Sequence, residues 1–166
     1  FGGSTQKTLG IEVAPVLAVA VTSLPQGMVG ADYTQALVAT GGTPPYTWTA
    51  DGTLPPGLAL SGSTIAGTPT QAGAFAFTAR VSDGEGSASR QLSITIRPPP
   101  LEVTTASLAA GTVGVPYSQQ LTATGGTPPH TWAVQGSLPP GLALSDATSA
   151  GTPTQAGAFA FTVQVS

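Results

Sequence analysis

The stretch TPTQAGAFAFT occurs twice in the chain, at residues 68–78 and again, unchanged, at residues 152–162. In its first copy Phe75 and Phe77 alternate with alanine, and the alternation of apolar residues continues to Val81. Because successive side chains of a β-strand point to opposite faces, this pattern predicts a strand with one buried face. The Gly-Thr-Pro cluster that precedes each copy predicts a turn.

The repetition extends well beyond these eleven residues. Residues 24–82 align with residues 108–166 at an offset of 84, without a gap and with 41 identities in 59 positions. A period of this length is too long for one coil of a solenoid and is typical of an array of small domains. The sequence therefore predicts two units of the same fold.

Apolar residues alternate with period two throughout one repeat, and each run ends at a Gly-Gly, Pro-Pro or Gly-Thr-Pro cluster. About seven short strands and no helical stripe predict an all-β fold of tandem immunoglobulin-like Greek-key β-sandwiches. We expect the first repeat at residues 16–97 and the second at residues 98–166. The residues predicted to be buried are Trp48, Phe75, Phe77, Leu92 and Ile94 in the first repeat, and Trp132, Phe159 and Phe161 in the second.

Five short motifs follow one another in the same order in both repeats. The first is Val-Gly-x-x-Tyr, at residues 29–33 and 113–117. It is followed by Gly-Gly-Thr-Pro-Pro-x-Thr-Trp, Leu-Pro-Pro-Gly-Leu-x-Leu, Ala-Gly-Thr-Pro and Ala-Gly-x-Phe-x-Phe-Thr. This series resembles the Ig repeats (haemagglutinin-type, cadherin-like) of bacterial surface proteins. The resemblance implies Ig-like sandwiches in a large secreted or surface-anchored protein, where such repeats serve as spacers or adhesive modules.

Composition excludes several classes of partner. Only 7% of the residues are charged, the net charge is −3, and the four basic residues are scattered, so no basic patch is present for a nucleic acid. No apolar run approaches the roughly 20 residues that span a bilayer, so we expect no membrane insertion. The chain has no cysteine and one histidine, which excludes thiolate chemistry and predicts no cofactor.

The junction between the repeats has too few oxygen ligands for a calcium site. Calcium takes six to eight oxygen ligands, whereas residues 97–102 read RPPPLE and carry a single carboxylate, Glu102. We therefore predict no bound metal. The three prolines should instead hold this connection extended.

Several single residues have both a functional and a structural interpretation. Trp48 and Trp132 could stack on a sugar ring, but in a sandwich this strand supplies the core tryptophan. Tyr33 and Tyr117 are expected to be buried rings whose hydroxyl groups bond to the backbone. Neither pair requires a ligand.

Two differences between the repeats stand out. His130 replaces Tyr46, but no nucleophile or orienting carboxylate lies near it in sequence, so a general base is not indicated. Ser149 replaces Ile65, which we interpret as an edge position that tolerates either residue. No Gly-x-Ser-x-Gly elbow and no phosphate-binding loop is present, so we predict that the chain is not an enzyme.

Residues 1–15 resemble the final strand that the second repeat lacks. The second repeat stops at Ser166, the counterpart of Ser82, and so lacks the segment that carries Leu92, Ile94 and Ile96 in the first. Residues 1–15 carry apolar residues with the same spacing, at Leu9, Ile11 and Val13. We interpret residues 1–15 as a lone final strand, either a donor strand or the end of a preceding repeat.

We therefore expect residues 4–14 of one copy to enter the second repeat of the next copy by β-strand addition. Such a head-to-tail contact does not close and propagates as a filament. The rival hypothesis is one section of a long covalent repeat array. The residues predicted to receive the strand are Val103, Phe159, Phe161, Val163 and Val165.

The sequence thus predicts an extracellular or cell-surface structural protein that forms a stalk or filament, with copies of itself as its partners. One alternative is an adhesin module that binds carbohydrate or protein, on surface glycans or other cells. Another is an accessory module of a larger hydrolase.

Overall fold

A computed structural model describes residues 4–11, 13 and 15–166 of the chain. None of these residues lies in a helix, and the same ranges contain no helix that is long and apolar enough to cross a membrane. The chain divides into two compact units, with the boundary between Arg97 and Pro98. The predicted all-β class is confirmed.

The first unit contains more strands than the seven expected. One additional strand arises because the chain changes partner at residues 37–38, so that one predicted strand is divided into β3 and β4. The nine strands are β1 (Ala18–Val19), β2 (Gly27–Met28), β3 (Tyr33–Ala36), β4 (Ala39–Thr40), β5 (Thr47–Gly52), β6 (Leu58–Ser61), β7 (Thr64–Gly67), β8 (Gly73–Ser82) and β9 (Ser87–Arg97).

These strands form the two layers of a sandwich. One sheet has the order β2-β9-β8-β5, the other has the order β3-β7-β6, and β4 pairs separately with β1. All pairs are antiparallel except β2 with β9, which run parallel. The long hairpin of β8 and β9 places Phe77 opposite Leu92 and Phe75 opposite Ile94.

The core of the first unit lies between the two sheets, and β9 supplies a large part of it. Phe77, Leu92 and Ile94 are buried, as predicted. Trp48 and Phe75 are only half-buried and pack against the core from its margin, so the prediction of full burial is wrong for these two. Trp48 lies on β5, an edge strand with one neighbour, and Phe75 lies two residues from the beginning of β8.

The second unit repeats this arrangement with fewer strands. Its sheets have the orders β11-β15-β14, β13-β16 and β10-β12, and none of the described residues supplies a counterpart of β9. The strands are β10 (Glu102–Val103), β11 (Tyr117–Gln120), β12 (Ala123–Thr124), β13 (Trp132–Gly136), β14 (Leu142–Ser145), β15 (Thr148–Gly151) and β16 (Phe161–Val165).

β16 has five residues and its counterpart β8 has ten, although residues 157–162 are identical in sequence to residues 73–78. Residues 73–76 of β8 pair with β9 alone, because β5 reaches only from Phe77 onwards. Residues 157–160 have no such partner and are not strand. The missing neighbour therefore accounts for the shorter strand.

The core of the second unit is correspondingly open. Of the hydrophobic residues that are fully buried in the described ranges, only Leu121 belongs to this unit. Trp132, Phe159 and Phe161 are half-buried, so the prediction of their full burial is wrong. No strand covers them on the side that β9 covers in the first unit.

Candidate functional site

The open side of β16 is the main feature of the second unit. β16 pairs with β13, from Trp132 opposite Val165 to Gly136 opposite Phe161. On its other side no strand formed by the described residues is adjacent, whereas β8 is paired along all ten residues on that side. A row of unpaired backbone N–H and C=O groups is a template for another strand.

An apolar groove of about 610 Å³ runs beside this edge, within the second unit. In the first unit the side chains of β9 lie at the equivalent place, where Ile94 and Ile96 are fully buried. The groove is formed by residues that precede β11, residues of β14 and β15, and the beginning of β16. They include Leu108, Gly111, Val113, Tyr117, Leu142, Ser149, Pro153, Phe159 and Phe161.

The groove brings together part of the predicted acceptor set. Phe159 and Phe161 line it, and both are half-buried. Val163 and Val165 continue the same face of β16 and are half-buried too, although their counterparts Ala79 and Val81 are fully buried. These four side chains form one apolar stripe along the open strand.

Val103 is placed differently from the rest of the predicted set. It lies in β10, opposite Ala123 of β12, and it does not line the groove. It is half-buried, whereas its counterpart Val19 is buried. Val103 therefore belongs to the margin of the same open core.

Ser149 is a residue of the groove that the sequence did not indicate. It is 2% exposed, and its Oγ has no hydrogen-bond partner. It lies in β15, which pairs with β11 on one side and β14 on the other, so our interpretation as an edge position is wrong. Its counterpart Ile65 is central in the same way and fully buried.

Gly111 is a second residue that sequence reasoning missed. Its counterpart Gly27 pairs with Ile96, and a Cβ atom on Gly27 would lie 2.7 Å from Cδ1 of Ile96. A side chain at this position would force Ile96 to shift, so the glycine eases the close approach of the final strand. At Gly111 the nearest atoms to such a Cβ belong to Tyr117 and Pro153, within the groove. The conserved offset of 84 was the signal that could have identified it.

The predicted donor residues are highly exposed. Leu9, Ile11 and Val13 are 78%, 89% and 88% exposed, and none of the three lies in a strand. The remaining parts of this prediction, Glu12, Ala14 and residues 1–3, lie outside the described residues. These three side chains alternate with other residues and leave their apolar surface exposed to water, which is unfavourable.

Both tyrosine hydroxyl groups bond to the backbone as predicted, but only Tyr33 is buried, and the prediction of burial is wrong for the half-buried Tyr117. Tyr33 is buried and its hydroxyl donates a hydrogen bond to the carbonyl of Pro25 at 3.1 Å, and burial raises the pKa of this phenol. The hydroxyl of Tyr117 donates in the same way to Ala109 at 3.0 Å. Tyr117 also lines the groove, so this bond fixes one of its walls.

His130 lies away from the groove. Its counterpart Tyr46 donates a hydrogen bond to Gly41, whereas Nε2 of His130 is buried near Gly126 without a hydrogen-bond partner. In the part of the chain that the structure describes, no three acidic, histidine or cysteine side chains are grouped to hold a metal ion.

Solved structures that resemble parts of this chain include enzymes and extracellular domains. A putative alpha-galactosidase/melibiase from Bacteroides fragilis is 20% identical over 48% of this chain and 17% of its own, with a TM-score of 0.45. Extracellular domains 3–5 of Drosophila OTK are 13% identical over 86% of this chain and 57% of theirs, with a TM-score of 0.39. The endo-fucoidan hydrolase MfFcnA4, from glycoside hydrolase family 107, is 26% identical over 87% of this chain and 26% of its own, with a TM-score of 0.39.

The chain thus spans less than two thirds of each of these structures. No curated protein matches the sequence. The profile of one family, described as "Putative Ig domain", matches twice, at residues 14–97 and 99–166, and the two matches meet at the boundary between the compact units. Together with the two sandwich units, these matches show that the chain belongs to the "Putative Ig domain" family.

Proposed function

We propose that this chain is a non-catalytic structural part of an extracellular stalk or filament, in which an added strand completes the second unit. One observation carries the proposal. Phe77 and Phe161 lie in identical sequences, yet only Phe77 is fully buried, because β9 covers it. The second unit reaches the same packing when a strand occupies the place of β9.

The free energy for this addition comes from two sources. The open side of β16 offers backbone groups that a new strand can pair with, and the apolar groove offers places for alternate side chains. Burial of apolar surface contributes about 25 cal/mol for each Å² removed from water. Because the contact joins unlike surfaces, repetition of it gives a linear fibre.

The strand has two possible sources. It could come from another copy of the chain, or from an adjoining segment of a longer polypeptide that contains further repeats. With either source, every β-sandwich of the assembly has its final strand, and both sources agree with a structural role. Family membership and the resemblance to surface-protein repeats support an extracellular position and the absence of catalysis.

Hydrogen exchange on the whole chain with Ile11→Asp, which prevents its own residues 4–14 from filling the groove of another copy, tests whether the edge accepts a strand. A synthetic peptide with the sequence of residues 4–14 is added, and exchange is followed at the backbone amides of residues 157–165. We expect slower exchange there, while the amides of β8 stay unchanged because β9 already covers them. The matched control is the same peptide with Ile11→Asp. Unchanged exchange of residues 157–165 with the natural peptide would contradict the proposal.

A carbohydrate- or protein-binding adhesin is the second candidate. It is favoured by the incomplete burial of Trp48 and Trp132, which leaves part of each ring accessible on the edge strands β5 and β13. Binding to a glycan array that is lost in the Trp48→Ala and Trp132→Ala variants would support it. An array without binding would contradict the carbohydrate-binding candidate and favour the structural role.

A further inference from the structure

We infer that the strand which completes the second unit is residues 4–14 of a second copy of this chain, held in one register. The inference rests on the proposed function, because it requires the open side of β16 to accept a strand. In this register three pairs lie opposite each other: Leu9 with Phe161, Ile11 with Phe159, and Val13 with Gly157.

The first unit supplies the register directly. There β8 and β9 pair antiparallel, with Phe77 opposite Leu92, Phe75 opposite Ile94 and Gly73 opposite Ile96. The offset of 84 carries the three β8 residues onto Phe161, Phe159 and Gly157. The residues from 9 to 13 repeat the spacing of the three β9 residues. The donor segment therefore presents its apolar side chains at the positions that the groove leaves open.

The other side of the donor strand has a partner as well. In the first unit Ile96 lies beside Gly27 of β2, which runs parallel to β9. The equivalent pair between copies is Val13 with Gly111. Gly111 lines the groove, and because it has no Cβ atom it does not obstruct the donor strand. The donor strand is thus antiparallel to β16 on one side and parallel to residues 111–112 on the other.

Neighbouring registers are unfavourable for identifiable reasons. A slip by one residue would direct Thr8 and Glu12 of the sequence toward the apolar groove, and burial of an unpaired carboxylate is costly. A slip by two in one direction would place Lys7 opposite Phe161. A slip by two in the other direction would place Pro15 opposite Gly157, where proline has no N–H to donate between two strands.

The link that follows the donor strand also matches the link within the chain. In the first unit β9 ends at Arg97, and the carbonyl of Pro99 then accepts a hydrogen bond from Gly126 at 2.8 Å. At the beginning of the chain, the carbonyl of Pro15 accepts one from Gly42, also at 2.8 Å. A strand at residues 4–13 would therefore lead into its own first unit as β9 leads into the second.

We assign the donor strand to a second copy because the chain already fills the equivalent place in its own first unit. The place of the final strand in the first unit is filled by β9, which pairs with both β8 and β2. Residues 9, 11 and 13 stay highly exposed in the single chain, and the open groove of the second unit stays empty. A second copy that places these exposed residues in that groove makes a head-to-tail contact, which is the contact that we propose.

Engineered disulfides test the register, because the natural chain has no cysteine. The first variant combines Gly10→Cys with Ala160→Cys, which lie opposite each other in the proposed register, on the solvent side. The matched control combines Gly10→Cys with Thr162→Cys, which are diagonal neighbours and about 7–8 Å apart, beyond the usual reach of a disulfide. We expect a ladder of covalent oligomers on a non-reducing gel for the first pair and none for the second.

The same variants test the source of the strand. An equimolar mixture of the Gly10→Cys and Ala160→Cys single variants should give a covalent dimer that contains one chain of each kind. A closed disulfide within one chain of the double variant would overturn the second-copy source. Filaments formed by the purified natural chain should dissociate to the 16.3 kDa chain when denatured. A purified chain that stays monomeric at high concentration would overturn the source in the same way.

The charge variant Ile11→Asp gives a readout that does not depend on disulfides. Its monomer should fold normally, because Ile11 is exposed, but its filaments should be lost. Val16→Asp is the matched control, since Val16 is equally exposed and lies outside the paired stretch. Filaments that survive Ile11→Asp, or cross-links in the diagonal pair alone, would overturn the inference. The proposed function would then be decided separately, by whether the peptide slows hydrogen exchange at the backbone amides of residues 157–165.

Discussion

Phe77 and Phe161 occupy the same position in identical stretches of eleven residues, but Phe77 is 2% exposed and Phe161 is only half-buried. Phe77 lies opposite Leu92 of β9, whereas Phe161 is paired on one side alone, with Gly136. The difference between the two residues is therefore a difference in neighbours. It makes the pair a sensitive measure of strand addition.

Substitution of these two phenylalanines should have unequal effects in the unassembled chain. Phe77→Ala should lower the free energy of unfolding of the first unit by about 3–5 kcal/mol, as for other buried aromatic residues. Phe161→Ala should cost about half as much or less, because less of its surface leaves water on folding. Denaturant unfolding of each variant measures both values, and equal losses would contradict the difference in burial.

The second unit should be the less stable of the two. In the unassembled Ile11→Asp chain we expect two thermal transitions, with the second unit unfolding first, because no strand completes its core. A peptide of residues 4–14 at a hundredfold excess over its Kd should raise the free energy of unfolding of this unit by about 2.7 kcal/mol. Calorimetry with and without the peptide measures the shift. A shift confined to the higher transition would be evidence against binding at β16.

Ser149 should weaken the second unit even when a strand is bound. Its buried hydroxyl has no partner, and an unsatisfied buried group costs about 1–3 kcal/mol. Ser149→Ile should therefore stabilise the peptide-bound second unit. Ile65→Ser is the reciprocal variant and should destabilise the first unit by about 3 kcal/mol or more. It creates a cavity in the core and also buries a hydroxyl group without a partner. Unfolding measurements on both variants would show opposite signs.

The first unit should lose stability in acid through Asp83. The backbone N–H groups of Gly86 and Thr43 donate to this carboxylate at 2.7 and 3.1 Å and lower its pKa. The stabilisation is present above the pKa of the unfolded state, near about 4, and is lost as the pH falls through the lower folded pKa. Asp83→Asn should flatten this part of the stability profile. An unchanged profile would show that the loop contributes nothing.

Removal of metal ions should change neither unit. The described residues contain no group of side chains suited to a metal ion, and the junction carries one carboxylate. Melting curves recorded with and without a chelator should coincide. A shift of several degrees would reveal a site formed by other residues.

The sequence by itself determined the fold class, the repeat and its register. Alternating residues such as Phe75 and Phe77 require strands, and the offset of 84 requires two copies of one fold. It also identified Leu9, Ile11 and Val13 as a match to a strand of the first unit. These conclusions follow from local periodicity and self-similarity, which a linear sequence carries in full.

Only the tertiary structure decided which side chains are covered and how. It showed that Ser149 is central and buried, that Gly111 lines an open groove, and that residues 157–160 are not strand although residues 73–76 are. The physical reason is that burial and pairing depend on neighbours distant in sequence. Identical residues therefore take different states in the two units, according to whether a strand lies beside them.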